Sequence, residues 1–166
     1  MATQENLAAA FAGESQANRK YLAFAKQAEL DGYHQIARLF RAAAHAETVH
    51  AHAHLRAMGG IHKTLENLQV AIEGEGFEFQ SMYPPYLEEA KQEGHKLAEA
   101  SFRFALAVEE THHGLYQQAL SAAQGGADLP QRQLYVCEIC GHTVYDAPQD
   151  KCEVCKAPRD RFTLID

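Results

Sequence analysis

The sequence predicts a mainly α protein: a four-helix bundle followed by a small metal-bound module of β and loop structure. Three observations carry this prediction. Residues 3 to 124 are rich in Ala, Leu, Glu, Gln and Lys, with apolar residues at the helical period. The opening TQENLAAAFAGES, residues 3 to 15, nearly recurs as TLENLQVAIEGEG, residues 64 to 76, so one helical pair is written twice. All four cysteines, Cys137, Cys140, Cys152 and Cys155, fall in the last thirty residues, which is a ligand pattern rather than a disulfide framework.

Length and composition agree with that division. A chain of 166 residues, 46% apolar, has room for one bundle-sized domain and a small appendage. A net charge of −7 without any basic cluster argues against nucleic acid or an anionic membrane as the main partner, since either would repel it at long range. The start, MATQENLAAAFAG, lacks the basic region and long apolar run of a secretory signal, and no stretch has the length to span a bilayer. A cytoplasmic location is therefore expected.

Each helix has its own punctuation. Thr3 and Thr64 read as N-caps followed by polar first turns. The first helix is expected from about Asn6 to Leu30, ended by Asp31 and Gly32; the second from about Tyr33 to Met58, ended by Gly59 and Gly60. The third begins after Thr64, and the fourth runs from after Gly94 to before Gly125. Thr3, Glu5, Asn6, Leu7, Ala10, Gly13 and Glu14 recur at a shift of 61, whereas Gly32 and Phe40 meet Gly94 and Phe102 at a shift of 62. One residue has been added in the second copy. MYPPY, residues 82 to 86, is where a kink or one-residue bulge is expected, because two prolines remove backbone donors. The domains are then 1–124 (helical), 125–133 (a Gly/Pro-containing linker) and 134–166, too short for a core of its own and dependent on its metal for a fold.

Acids interrupt the apolar seams of all four helices. On the second, Phe40, Ala43, Glu47, His50 and His54 share one face, and the fourth repeats this with Phe102, Ala105, Glu109, His112 and Tyr116. Side chains three apart on a helix lie one above the other, so the Glu and His of each E-x-x-H can grip one metal ion. The first helix adds Glu14 and Tyr21; the third adds Glu75 and Glu78. A lone E-x-x-H is usually a solvated Glu beside a packed His, but four matching interruptions are not explained that way. Carboxylates inside a bundle are costly unless cations neutralise them. One Glu from each of two helices plus Glu-x-x-His from each of two others is the arrangement of di-iron carboxylate bundles, and its mixed O/N donors suit iron or manganese. Glu110 and His113 form a competing E-x-x-H, but only Glu109 and His112 continue the Phe102 seam. Tyr21 and Tyr83 read either as core aromatics or as hydroxyl donors to an exogenous ligand. His34, His45, His52, His62, His95 and His142 read as surface groups, and His54 as packing one turn beyond His50.

The paired CxxC motifs, eleven residues apart, build a tetrahedral four-thiolate site. Spacing does not separate zinc, which would only hold the fold, from iron, which would carry one electron.

With GES-to-Tyr over Glu14 to Tyr21, two E-x-x-H motifs, GE-x-x-E with MYP, and YVCxxCG with a second CxxC, the whole chain resembles the rubrerythrin family, a ferritin-like di-iron domain followed by a rubredoxin-like domain. The resemblance implies that Glu14, Glu47, Glu75 and Glu109 are shared by two iron ions, with His112 on one of them. It implies that Glu78, whose counterpart in the first copy is Ala17, is an extra carboxylate on the other iron, and that His50 takes that iron when Glu78 lets go on reduction. Tyr21 and Tyr83 are then candidate proton donors. The implied activity is reduction of hydrogen peroxide to water, with electrons arriving through one iron on the four cysteines from a donor protein such as a rubredoxin or its reductase. Glu153 stands where a proline often follows the first Cys of the second knuckle.

A ferritin-like bundle with this site needs its second and third helices parallel, hence a connection running the bundle's length. The five residues 59–63 reach about 17 Å, whereas a helix of some 25 residues is about 38 Å long. A domain-swapped homodimer is expected, with each site drawing on both chains. Two other readings compete with the peroxidase: a ferroxidase or iron-handling protein, and a structural bundle carrying a zinc ribbon.

Overall fold

The computed structural model describes residues 2–165. Helices α1 (Ala2–Leu30) and α2 (His34–Ala57) form one hairpin. Helix α3 (Thr64–Phe77), a π-helical turn (Glu78–Met82) and helix α4 (Tyr83–Gln92) run on without a break, and helix α5 (Lys96–Gln124) packs against all three. Strands β1 (Leu134–Cys137), β2 (Thr143–Tyr145) and β3 (Phe162–Ile165) follow as an antiparallel sheet in the order β2-β1-β3. The mainly α class with a small cysteine-bearing β/loop module is as expected. No helix among the described residues is long and apolar enough to cross a membrane.

Two expected caps are corrected. Thr3 lies inside α1, which starts at Ala2, because nothing in the Ala/Gln/Glu-rich opening breaks a helix. Thr64 is already the first helical residue of α3; Lys63 precedes it in extended conformation, its N–H donating to the Glu66 carboxylate at 3.3 Å. The glycine stops hold. Gly32 and Gly94 adopt φ of 82° and 69°, and the residue after each donates back to a carbonyl five earlier, Tyr33 to Ala28 and His95 to Ala90. This is the left-handed helix ending that glycine makes without strain, and the repeat preserves it.

The added residue of the second copy appears as the π turn, in which the Tyr83 N–H donates to the Glu78 carbonyl, five residues back. It lies a little upstream of the expected segment 82–86. Prolines are tolerated in the first turn of a helix, so Pro84 and Pro85 open α4 and the irregularity precedes them.

The described residues divide into two compact units, one ending at His62 and the other beginning at Lys63. In the first, the buried apolar residues are all alanines: Ala25, Ala28, Ala37, Ala44 and Ala51. Small side chains let the two backbones approach closely. Asn18 is buried with them, and its Nδ2 donates across the hairpin to the Ala44 carbonyl (2.6 Å) and Thr48 Oγ1 (2.8 Å). Large apolar groups such as Leu39 and Val49 stay exposed, at 68% and 53%. In the second unit Leu87, Ala90, Val108, Cys137 and Cys152 are buried.

Within the module the two CxxC segments fold alike. The Cys137 and Cys152 N–H groups donate to the carbonyls of His142 and Ala157, while Gly141 and Lys156 donate back to Cys137 and Cys152. Gly141 and Lys156 both have positive φ, 84° and 64°, so Glu153 in place of a proline leaves the second knuckle's turn intact.

Asn18→Ala deletes both cross-hairpin hydrogen bonds and is expected to destabilise the metal-free protein by about 1–2 kcal/mol. The readout is a lower urea midpoint at unchanged m-value; a midpoint equal to wild type would mean that alanine packing alone holds the hairpin.

Candidate metal centres

Three clusters of ligand-type side chains stand out among the described residues, each with donor atoms within 4.8 Å of one another. In the first hairpin, α1 contributes Glu14 and α2 contributes Glu47 and His50. His50 Nδ1 lies 3.3 Å from Glu14 Oε2 and 3.2 Å from Glu47 Oε2. In the second unit, α3 contributes Glu75 and α5 contributes Glu109 and His112. There His112 Nδ1 lies 2.8 Å from Glu109 Oε2 and 3.9 Å from Glu75 Oε1. The matched geometry follows from the repeat, since Glu and His three apart project from one helix face toward a carboxylate on the neighbouring helix.

The third cluster is Cys137, Cys140, Cys152 and Cys155. Cys137 Sγ lies 3.6 Å from Cys155 Sγ, and Cys140 Sγ 3.6 Å from Cys152 Sγ. These are far beyond the roughly 2.05 Å of a disulfide. They are close to the edge, about 3.8 Å, of a tetrahedron with metal–sulfur bonds near 2.3 Å. Burial pushes the Cys140 thiol up, a bias that a bound cation reverses by favouring the thiolate.

Glu78 opens the π turn, within electrostatic reach of Glu109 and His112 but outside the three-residue cluster. Tyr83, at the other end of that turn, faces Glu78, Glu109 and Glu75. The Tyr21 ring sits 6.2 Å from that of Phe40 and 6.3 Å from that of Phe24. Of the competing pair, His113 packs on the Phe79 ring at 5.2 Å and lies near Gly76, and neither it nor Glu110 belongs to the three clusters. A cavity of about 440 Å³ opens beside the Glu75 cluster, lined among others by His112, Leu115, Tyr116 and Thr143.

Two residues escaped the sequence reading. His142, expected at the surface, is buried with neither ring nitrogen hydrogen-bonded, among module residues that include Val144, Tyr145 and Phe162. Thr143 Oγ1 lies 2.8 Å from His112 Nε2. The only signal for either is their place immediately after the first knuckle.

A family model for Rubrerythrin matches residues 5–120, and one for the Rubrerythrin, rubredoxin-like domain matches residues 135–163. The chain belongs to the rubrerythrin family. It is 36% identical to Rubrerythrin-2 of Clostridium acetobutylicum, over 96% of this chain and 95% of that one. It is also 36% identical to Nigerythrin of Nitratidesulfovibrio vulgaris, over 97% and 85%. A solved structure of nigerythrin, fully reduced and all ferrous, matches with a TM-score of 0.58 at 33% identity, covering 98% of this chain and 86% of that one.

Electrostatics shows how tightly the carboxylates are crowded. Burial, then the Glu109 charge, pushes Glu75 up to about 7. Burial and Glu109 also raise Glu78. In the first hairpin a hydrogen bond between Glu14 and Glu47 holds Glu14 below its ordinary range and Glu47 above. Hydrogen bonds to the same two carboxylates raise His50. An acid that holds its proton near neutrality beside other raised carboxylates fits a site built for cations, which would remove the repulsion.

The sign for the metal-free protein follows. Between the ordinary 4.5 and about 7, folded Glu75 holds a proton that the unfolded chain has released. Stability therefore falls as pH rises through that window. The raised His50 works in the same sense, its contribution being lost as pH rises through its folded pKa. The metal-free protein is expected to melt at lower temperature at about pH 8 than at about pH 5. Calorimetry checks this, and a melting temperature rising steadily across the window would contradict the crowding.

Proposed function

We propose that the chain is a non-haem di-iron peroxidase that reduces hydrogen peroxide to water, fed with electrons through iron on its four cysteines, in defence against oxidative stress. The observation that carries this reading is the adjacency of a four-thiol cluster to a Glu/His cluster, linked by the Thr143–His112 hydrogen bond. A one-electron site beside a two-carboxylate site is the arrangement a peroxidase needs. The all-ferrous and mixed-valence structures of nigerythrin concern a relative whose iron changes oxidation state, and they support the same reading here.

Glu14, Glu47, Glu75 and Glu109 are assigned as the carboxylates that hold two iron ions, with His112 on one, and Glu78 and His50 as alternatives on the other. Two ferrous ions, when bound, supply the two electrons that cleave the peroxide O–O bond, which with two protons yields two waters. The residues govern where those protons reside. Glu75 binds a proton near neutrality, and the Tyr83 hydroxyl, raised by burial and by Glu78, keeps its proton available for transfer. Tyr21 is the corresponding hydroxyl candidate in the first copy. Glu78 lies on the π turn, where the regular ladder is interrupted, so it is the carboxylate with freedom to swing. Cys137, Cys140, Cys152 and Cys155 hold the third iron. Four free cysteines suit the reducing cytoplasm and an electron-donor protein such as a rubredoxin or its reductase.

Each Glu/His cluster is half of the assigned site, and the helical domain 1–124 is completed by a second copy. The six residues 58–63 between α2 and α3 reach about 20 Å, against about 36 Å for the 24 residues of α2. In the first hairpin the His50 side chain is 57% exposed and the large apolar groups are uncovered, as expected of a surface that another hairpin covers. We propose a domain-swapped homodimer in which α1 and α2 of one copy pack with α3 to α5 of the other. Light scattering is expected to give twice the chain mass; a metal-replete monomer in dilute solution would refute it.

The catalytic test is stopped-flow mixing of the anaerobically reduced protein with hydrogen peroxide and, separately, with O2. Colour of the ferric four-thiolate centre is expected to return at least tenfold faster with peroxide. Faster return with O2 would replace this reading with a ferroxidase, and a colourless protein would mean a zinc ribbon.

A further inference from the structure

We propose that Thr143 is a positioning residue that locks the His112 imidazole with Nδ1 toward Glu75 and Glu109, making the docked cysteine module part of the scaffold that holds metal at those carboxylates. The inference rests on the dimetal reading above and adds to it a dependence of one metal site on the other.

The hydrogen-bond directions carry the argument. Thr143 Oγ1 lies 3.2 Å from the Gly141 carbonyl, which can only accept, and in the proposed arrangement the hydroxyl proton is directed there. The lone pairs left on Oγ1 then face His112 Nε2 at 2.8 Å, which in this arrangement donates and carries the ring proton. In the neutral imidazole the lone pair is then on Nδ1, aimed at the carboxylates of Glu109, 2.8 Å away, and Glu75, 3.9 Å away. A lone pair facing two carboxylates is repulsive unless a cation lies between them. Thr143 therefore selects the tautomer that suits a metal-loaded site and penalises the neutral ring of an empty one.

The strap reaches back to the cysteines. Gly141 follows Cys140, and Thr143 pairs with Val136, which precedes Cys137. Gly141 also lies near Val108, where an added Cβ would sit 3.7 Å from Cγ1, so the module approaches α5 one helical turn before His112 as well as at it. A module of this size takes its fold from its metal, so loading the four cysteines is what sets Thr143 in place. The four-thiolate metal thus organises a ligand of the neighbouring site.

The test uses the full-length, iron-loaded, reduced protein challenged anaerobically with a coloured ferrous chelator. Thr143→Val keeps the β-branched shape without the hydroxyl, and Thr143→Ala removes the hydroxyl by a second route. Both are expected to release iron from the carboxylate site about tenfold faster than wild type, in line with the effect of losing an outer-shell partner. Thr143→Ser is expected to restore the wild-type rate. The ferric four-thiolate colour after re-oxidation reports that the module has kept its own iron. Release from Thr143→Val and Thr143→Ala within twofold of wild type would overturn the proposal, as would equal acceleration in Thr143→Ser, which would make the role one of packing. A wild-type protein that binds iron only at its cysteines would instead overturn the dimetal reading, and this inference with it.

Discussion

Like charges brought together in a partly buried helical seam are the constraint to which the rest of the structure answers. Burial and the Glu109 charge raise the proton affinity of Glu75 and Glu78, and a hydrogen bond between Glu14 and Glu47 lowers the first and raises the second. A bundle core would ordinarily eliminate such groups, since each costs free energy that apolar packing does not return. Their recurrence in both copies of a repeat, always with a histidine three residues after a glutamate, is explained if the seam is a ligand set before it is a core. The helices then have to do two things at once, align donors to within a few ångströms and stay folded around repulsion.

The first hairpin does so with small residues. Alanine at positions 25, 28, 37, 44 and 51 brings α1 and α2 close enough for Asn18 to bond the opposite backbone, which fixes the register that sets Glu14 opposite Glu47 and His50. The cost is an uncovered apolar surface, with Leu39 and Val49 more than half exposed. Close backbone approach and a buried leucine core are alternatives in a two-helix unit, and this sequence has taken the former. The second unit buries larger side chains, Leu87 of α4 and Val108 of α5 among them, and adds the cysteine module at α5.

Much of this was legible in the residues, and what was not shares a physical cause. Helical spacing alone separated Glu109 and His112 from Glu110 and His113, because side chains three and four apart must share a face whatever the tertiary context. The glycine stops at Gly32 and Gly94 were equally plain, being backbone requirements. The change of shift from 61 to 62 announced an added residue. Its position was misjudged because prolines mark where a regular helix can begin again, so the irregular turn precedes them. His142 and Thr143 were missed since their roles depend on a strand of the module meeting a helix some thirty residues earlier, and no local periodicity encodes such a contact. Thr3 failed as a cap for the opposite reason: a helix-favouring stretch simply continued past it.

The two copies of the hairpin are not equivalent, and the differences accumulate on one side. The second copy has Glu78 where the first has Ala17, it carries the π turn, and its histidine is the one bonded to the module. A symmetric pair of ligand sets would treat two cations alike and leave no preferred route for charge. On the proposed reading, the additional carboxylate on an interrupted helical turn is a donor that can move, while the hydroxyl bond to His112 Nε2 holds a donor in place. Glu78 and His112 thus belong to the same half of the repeat, one within electrostatic reach of Glu109 and the other within hydrogen-bond distance of it. Duplication accounts for the matched Glu/His clusters, and the departures from symmetry are gathered in the second copy.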